Sequence, residues 1–253
     1  MGGPNYDLSA AWQVNINQVR EKPLARKGYI KKLALRTGMS FEVLWHNYCT
    51  DDLAAAHFAK DPRKQNAHEK IAAEWIKKIP GVHNFQKLKP NGEKALYVYQ
   101  GDILSAAGKQ GIETPKSLDF AWDIVLPKQH ATMSFYASHK HTGIDGGSQD
   151  NQFADLRHFT IEASALQQER QIRFVSLADG EYYQKKRGSC GSKLNALQAI
   201  ANQSKYTAAM TSAELPACIA ACLKSMFDSL SQNKQAEIQT EFDALIERIH
   251  DYA

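Results

Sequence analysis

The 253-residue chain has no apolar run approaching the roughly 20 residues that span a bilayer. Its first residues, Met1-Gly2-Gly3-Pro4-Asn5-Tyr6, lack the charged and apolar regions of a secretory signal. A soluble, cytoplasmic protein with no membrane partner is therefore expected. Cysteine is scarce: Cys49, Cys190, Cys218 and Cys222 form no Cys-x-x-Cys pair, which argues against a zinc ribbon or a disulfide scaffold. Cys218 and Cys222 stand one helical turn apart in an apolar pattern and read as buried core thiols. There is no internal repeat and no low-complexity tract. Net charge is also small, at +4, and by itself points to no partner.

What is present is enough apolar sequence, 43% of the residues, to build one large core or two small ones. Basic residues cluster at Arg20, Lys22, Arg26, Lys27, Lys31, Lys32 and Arg36, at Arg63-Lys64 with Lys77-Lys78, and at Lys185-Lys186-Arg187 with Lys193. Such clusters suit a polyanion, because each phosphate they neutralise releases counterions, and they equally suit a solvated helix face.

The first 80 residues read as helical, with a start at Ser40 and a long segment from about Arg63 to Ile79 that stops at Pro80-Gly81. Pro90-Asn91-Gly92 signals a turn before a strand at 95–99, and a boundary near residue 90 divides a helical N-terminal region, 1–90, from a core with closing helices, 91–253. Leu118 to Leu126 alternates Asp119, Ala121 and Asp123 with Phe120, Trp122 and Ile124, and after Pro127 to His130 the chain returns as a strand from Ala131 to His141. Ser148 caps a helix with Phe153, Leu156, Phe159, Ala163 and Leu166 on its apolar stripe. A strand at 173–177, a helix at 193–202, a strand at 205–210 and two helices from Glu214 to Tyr252 follow. The expected class is α/β (α+β): a mixed central sheet flanked by helices.

If Leu126 pairs with Ala131, paired positions sum to 257, so Asp119 faces Ser138 and Lys140 is its diagonal neighbour on the same face. Asp123 faces Ser134, too far along the strand to meet Lys140. Asp155, at the margin of the helix stripe, offers a second carboxylate, with Glu162 and Asp150 as further choices. Paired carboxylates suit a hard cation such as Mg²⁺, and an adjacent ammonium can orient water and neutralise phosphate charge. The same Asp119 and Lys140 also suit an ordinary cross-strand ion pair. His139 and His141 point to the other face. His-x-His is a zinc-ligand spacing as well, with His130, Asp145 or His158 as third-ligand choices for a zinc hydrolase. Gly146-Gly147-Ser148 reads as a tight turn or a phosphate cradle, and Gln149, Asn151 and Gln152 carry amides able to contact bases or phosphates.

An acid on one strand, Ser-His-Lys at the end of the next and an acid on the following helix resembles the PD-(D/E)XK core of type II restriction endonucleases. Here Ser138 stands where that family usually has an acid, Leu118 where it has proline, and Asp155, fifteen residues past Lys140, where a variant group of these enzymes places a helix-borne glutamate. The run "HKHTGIDGGSQDNQFADL", followed by "SLADGEYY" and "GSKLN", is similar to stretches of such enzymes. The resemblance implies a restriction-endonuclease-like core and a Mg²⁺-dependent, site-specific double-strand DNA endonuclease acting as a homodimer, with a companion DNA methyltransferase. It assigns Asp119, Lys140, Asp155 and Ser138 to catalysis, and Asp119 and Asp155 or Glu162 to the metal. DNA contacts would come from His139, His141, Ser148, Gln149, Asn151, Gln152, Lys185, Lys186, Arg187 and Lys193. A nucleic-acid-binding protein without catalysis is the alternative from another class.

Overall fold

The computed structural model describes residues 2–62, 66–113, 115–143, 147–166, 170–186 and 191–253. The chain divides into two compact units, residues 5–71 and residues 72–253 together with the first few residues. Among the described residues no helix is long and apolar enough to cross a membrane.

The 5–71 unit is helical: α1 (Ser9–Glu21), a 3-10 turn at Pro23–Arg26, α2 (Lys27–Thr37), α3 (Phe41–Thr50) and α4 (Asp52–Phe58), with the start of α5 (Ala67–Ile76). Ser40 caps α3 by accepting the Val43 N–H, and Asp51 caps α4 through the Leu53 N–H. Its interior is small, built on Ile30, Ala34, Tyr48 and Ala55, with the Tyr48 ring edge-on to Phe58 at 5.1 Å.

The larger unit is a mixed α/β fold. Its main sheet has the order β1-β5-β6-β7-β8: β1 (Val82–Lys87), β5 (Phe120–Val125), β6 (Thr132–His141), β7 (Ile172–Asp179) and β8 (Thr207–Met210). β5 runs antiparallel to both of its neighbours, β1 and β6, whereas β6, β7 and β8 run parallel. Parallel neighbours need crossovers, and α6 (Gly147–Ser164) supplies the first, α7 (Glu181–Gln184) with α8 (Lys193–Ala201) the second. A second, antiparallel sheet has the order β3-β2-β4, from β2 (Leu96–Tyr99), β3 (Asp102–Ser105) and β4 (Lys116–Ser117). The chain closes with α9 (Leu215–Asp228) and α10 (Gln232–Tyr252).

Alternation in β5 does what its pattern requires. Phe120, Trp122 and Ile124 are buried on one face, and Ala121 and Asp123 turn to the other. On that second face Leu156, Phe159 and Ala163 of α6 pack with Phe174 and Ala178 of β7 and with Leu194 and Leu197 of α8. β7, the middle parallel strand, is buried along nearly its whole length, as a strand covered on both faces must be. The β5–β6 register is the expected one: Phe120 pairs with Ala137 and Asp123 with Ser134, and the Leu126 N–H donates to the Ala131 carbonyl. β1, β3 and β4 are additions that the sequence pattern does not reveal.

Candidate functional site

Asp119 stands one residue before β5, where its backbone is fixed from both sides. Its N–H donates to the Ala137 carbonyl and its carbonyl accepts the Leu88 N–H. The side chain therefore lies over the end of β6. There Oδ2 accepts the His139 backbone N–H at 2.8 Å and the Ser138 hydroxyl at 3.1 Å, with Lys140 Nζ 3.8 Å away. The carboxylate continues the strand ladder at the point where backbone pairing stops. Among the described residues Oδ1 takes no hydrogen bond. Asp123, four residues on, is committed to the Ser134 hydroxyl and the Asn84 amide.

Ser138 and Lys140 form part of the wall of an open cleft of about 670 Å³, which Asp155 of α6 also lines. The remaining wall brings residues that the sequence pattern did not single out: Tyr97, Lys109 and Lys116. Lys116 sits in β4, paired with Val98 of β2, and its ammonium is 2.9 Å from Asp155 Oδ1. Lys109 donates to the Tyr97 hydroxyl at 2.9 Å and lies over the same ring. The small sheet and its β3–β4 connection thus add two cations to a cleft that already holds Lys140. The only sequence signal for Lys116 was a basic residue just ahead of the Leu118 to Leu126 run, and nothing local says which sheet it joins.

The other carboxylates considered as second ligands stand elsewhere. Glu162 accepts the Gln100 N–H at 2.7 Å and lies 3.3 Å from His158, so it fastens the β2–β3 turn to α6, and it does not line the cleft. Asp150 accepts the Tyr182 hydroxyl at 2.6 Å and the Lys193 ammonium at 2.9 Å. Lys193, placed by the resemblance against DNA, is held there and covered by the Phe153 ring. Burial lowers the Lys193 pKa, but the bonds to Asp150 and Tyr182 outweigh it and the net shift is upward. Gln152 accepts the Thr142 hydroxyl and so ties α6 to the end of β6. Gln149 is half-buried, whereas Asn151, Lys185 and Lys186 are exposed. The Ser148 side chain, Arg187, Asp145, Gly146, Cys190 and the Arg63-Lys64 pair lie outside the described residues.

His139 occupies the opposite face of the sheet from Lys140. Its Nε2 is 3.0 Å from Asp179 Oδ2, and Asp179 also accepts the Ser212 hydroxyl at 2.5 Å and the Ser212 N–H at 2.7 Å. All three residues are buried. This array joins the ends of β6 and β7 to the turn after β8. It holds the same His139 whose backbone N–H faces Asp119. Gly180, at φ +95°, follows immediately, and a Cβ there would collide with the Thr142 carbonyl. His141, at the end of the same strand, is half-buried.

Carboxylate and hydroxyl oxygens are the donors that a hard cation takes, and Mg²⁺ is commonly held by one or two carboxylates, with water and substrate phosphate completing its shell. Asp119 with Ser138, and Asp155 in the cleft wall, are groups of that chemistry, with Lys116 competing for Asp155. Among the described residues no three His, Cys, Asp or Glu side chains gather as a metal cage. Comparisons with protein-family models, with curated proteins and with solved structures found no match to this chain.

Proposed function

We propose that the cleft is the active site of a Mg²⁺-dependent, site-specific endonuclease of the restriction type that hydrolyses phosphodiester bonds in double-stranded DNA. The observation that carries this is the juxtaposition of Asp119 with Ser138 and Lys140 at the end of a strand pair, where Ser138 and Lys140 line a cleft with Asp155 and two further lysines. Asp119 and Asp155 would hold the metal, which when bound supplies Lewis-acid stabilisation of the charge developing on the scissile phosphate. Lys140 would position the attacking water and stabilise, from Nζ, the charge developing on the phosphate. Ser138 and the His139 N–H keep Asp119 in one orientation, so that little reorganisation is needed at the moment of reaction. Lys109 and Lys116 neutralise neighbouring phosphates along the strand. A homodimer on a palindromic site, with a companion methyltransferase protecting host DNA, belongs to the same proposal.

A second reading, DNA binding without catalysis, is favoured by one observation: Lys116 already neutralises Asp155. Mg²⁺ titration on supercoiled plasmid separates the two. Metal-dependent nicking or linearisation is expected from the wild type, and Asp119→Asn should lose it while remaining folded and able to bind DNA. If the wild type binds plasmid but leaves it intact at every Mg²⁺ concentration, the binding reading stands instead.

A further inference from the structure

The positive charge of this protein is not spread over the chain. Residues 5–71 contain eleven Lys and Arg against seven Asp and Glu, a surplus of four, whereas residues 72–253 contain twenty of each sign. The whole net charge of +4 therefore resides in the small helical unit. Within it the surplus is local, since seven of the basic residues fall between Arg20 and Arg36, where Glu21 is the one acid.

Those residues surround a helix-turn-helix. α2 ends at Gly38, whose φ of +71° lets its N–H close back onto the Ala34 carbonyl, and only Met39 separates it from Ser40, which caps α3. A turn this short, with glycine at its start, is the connection that such motifs use. The inner sides are committed: Ile30 and Ala34 of α2 and Tyr48 of α3 are buried. The outer sides are not. Lys31, Lys32 and Arg36 of α2 are exposed, and so are Val43, His46, Asn47 and Thr50 of α3. α3 thus presents a methyl-bearing side chain, an amide and an imidazole, the groups that read base edges, beside a helix that presents cations.

We propose that the 5–71 unit docks duplex DNA, with α3 in the major groove and the basic side of α2 against the phosphates. Charge complementarity selects this occupant over a second copy of the chain, because two such surfaces would repel. The docking does not depend on the cleft being catalytic, and it is measured without metal.

The test uses the full chain in EDTA with a short labelled duplex, titrated over salt. Lys31→Ala/Lys32→Ala/Arg36→Ala should weaken binding about tenfold or more and flatten the salt dependence by about three ion equivalents. Selection from a randomised duplex pool should show an altered sequence preference for Asn47→Ala, with affinity for random DNA kept. Lys224→Ala/Lys234→Ala, which removes two exposed lysines of the other unit, serves as the comparison and should leave affinity and salt slope unchanged. Unchanged affinity and salt slope in the triple variant would overturn the proposal. So would a triple variant whose only change is its oligomeric state, which would mark the surface as a protein interface. A wild-type chain that binds the duplex but leaves plasmid intact with Mg²⁺ would instead sink the endonuclease proposal and leave this one standing.

Discussion

Replacing Asp179 with alanine tests whether the buried array behind β6 is structural. The carboxylate accepts two bonds from Ser212 and lies against His139 Nε2, with no more than a few per cent of any of the three residues exposed. Alanine leaves a buried N–H, a hydroxyl and an imidazole nitrogen to find other partners, and each such orphan costs about 1–3 kcal/mol. Three such orphans, partly relieved by relaxation around them, set an expected loss of about 3–5 kcal/mol. For a unit of this size each kcal/mol lowers Tm by about 2–4 °C, so a fall of roughly 6–20 °C is expected. Thermal unfolding followed by circular dichroism reads it directly. Asp155→Ala is the control, because that side chain is 60% exposed and its ion pair with Lys116 is worth under about 1 kcal/mol. Equal melting of Asp179→Ala and wild type would refute the reasoning. Below its melting point the variant should also lose cleavage, because the segment it frees carries the N–H that orients Asp119.

Lys116→Ala releases Asp155 from an ion pair worth up to about 1 kcal/mol, so Mg²⁺ binding without DNA should tighten by up to about fivefold in calorimetry; weaker binding would remove Asp155 from the ligand set. Trp122→Ala empties a fully buried site stacked on Phe135 at 5.2 Å and should cost about 3–5 kcal/mol, seen as a lower urea midpoint. Gly180→Ala combines a strained φ with a collision against the Thr142 carbonyl, and a chain of wild-type stability would contradict that contact. Lys140→Ala should change stability by less than about 1 kcal/mol, because the pair with Asp119 is partly exposed, yet lower the cleavage rate by about a hundredfold or more.

The β5–β6 pairing was legible because alternation leaves one register that buries Phe120, Trp122 and Ile124 together, and a one-residue slip would expose them all. That register alone brought Asp119 to Lys140. The lysine between two histidines is explained the same way: Lys140 shares the cleft face with Ser138, and His139 turns to the far face. What remained hidden is non-local. β1 breaks its alternation with a bulge between His83 and Gln86 and a positive φ at Asn84, so it carries no strand signature. Lys116 reaches Asp155 only because a two-residue strand joins the small sheet, and two residues have no periodicity to read. Lys193 reads as a surface cation until the packing of α6, α7 and α8 delivers Asp150, Phe153 and Tyr182 around it. The partner of His139 likewise depends on the parallel register of β6 with β7, which pairs His139 with Leu177 and His141 with Asp179.

Digestion of a mixed-sequence linear DNA by the wild type and by Lys140→Ala, each with Mg²⁺, bears most directly on the cleft. Discrete fragments from the wild type and intact DNA from a folded, DNA-binding variant are expected. Identical fragments from both, or intact DNA from the wild type at all Mg²⁺ concentrations, would contradict catalysis at Asp119 and Lys140.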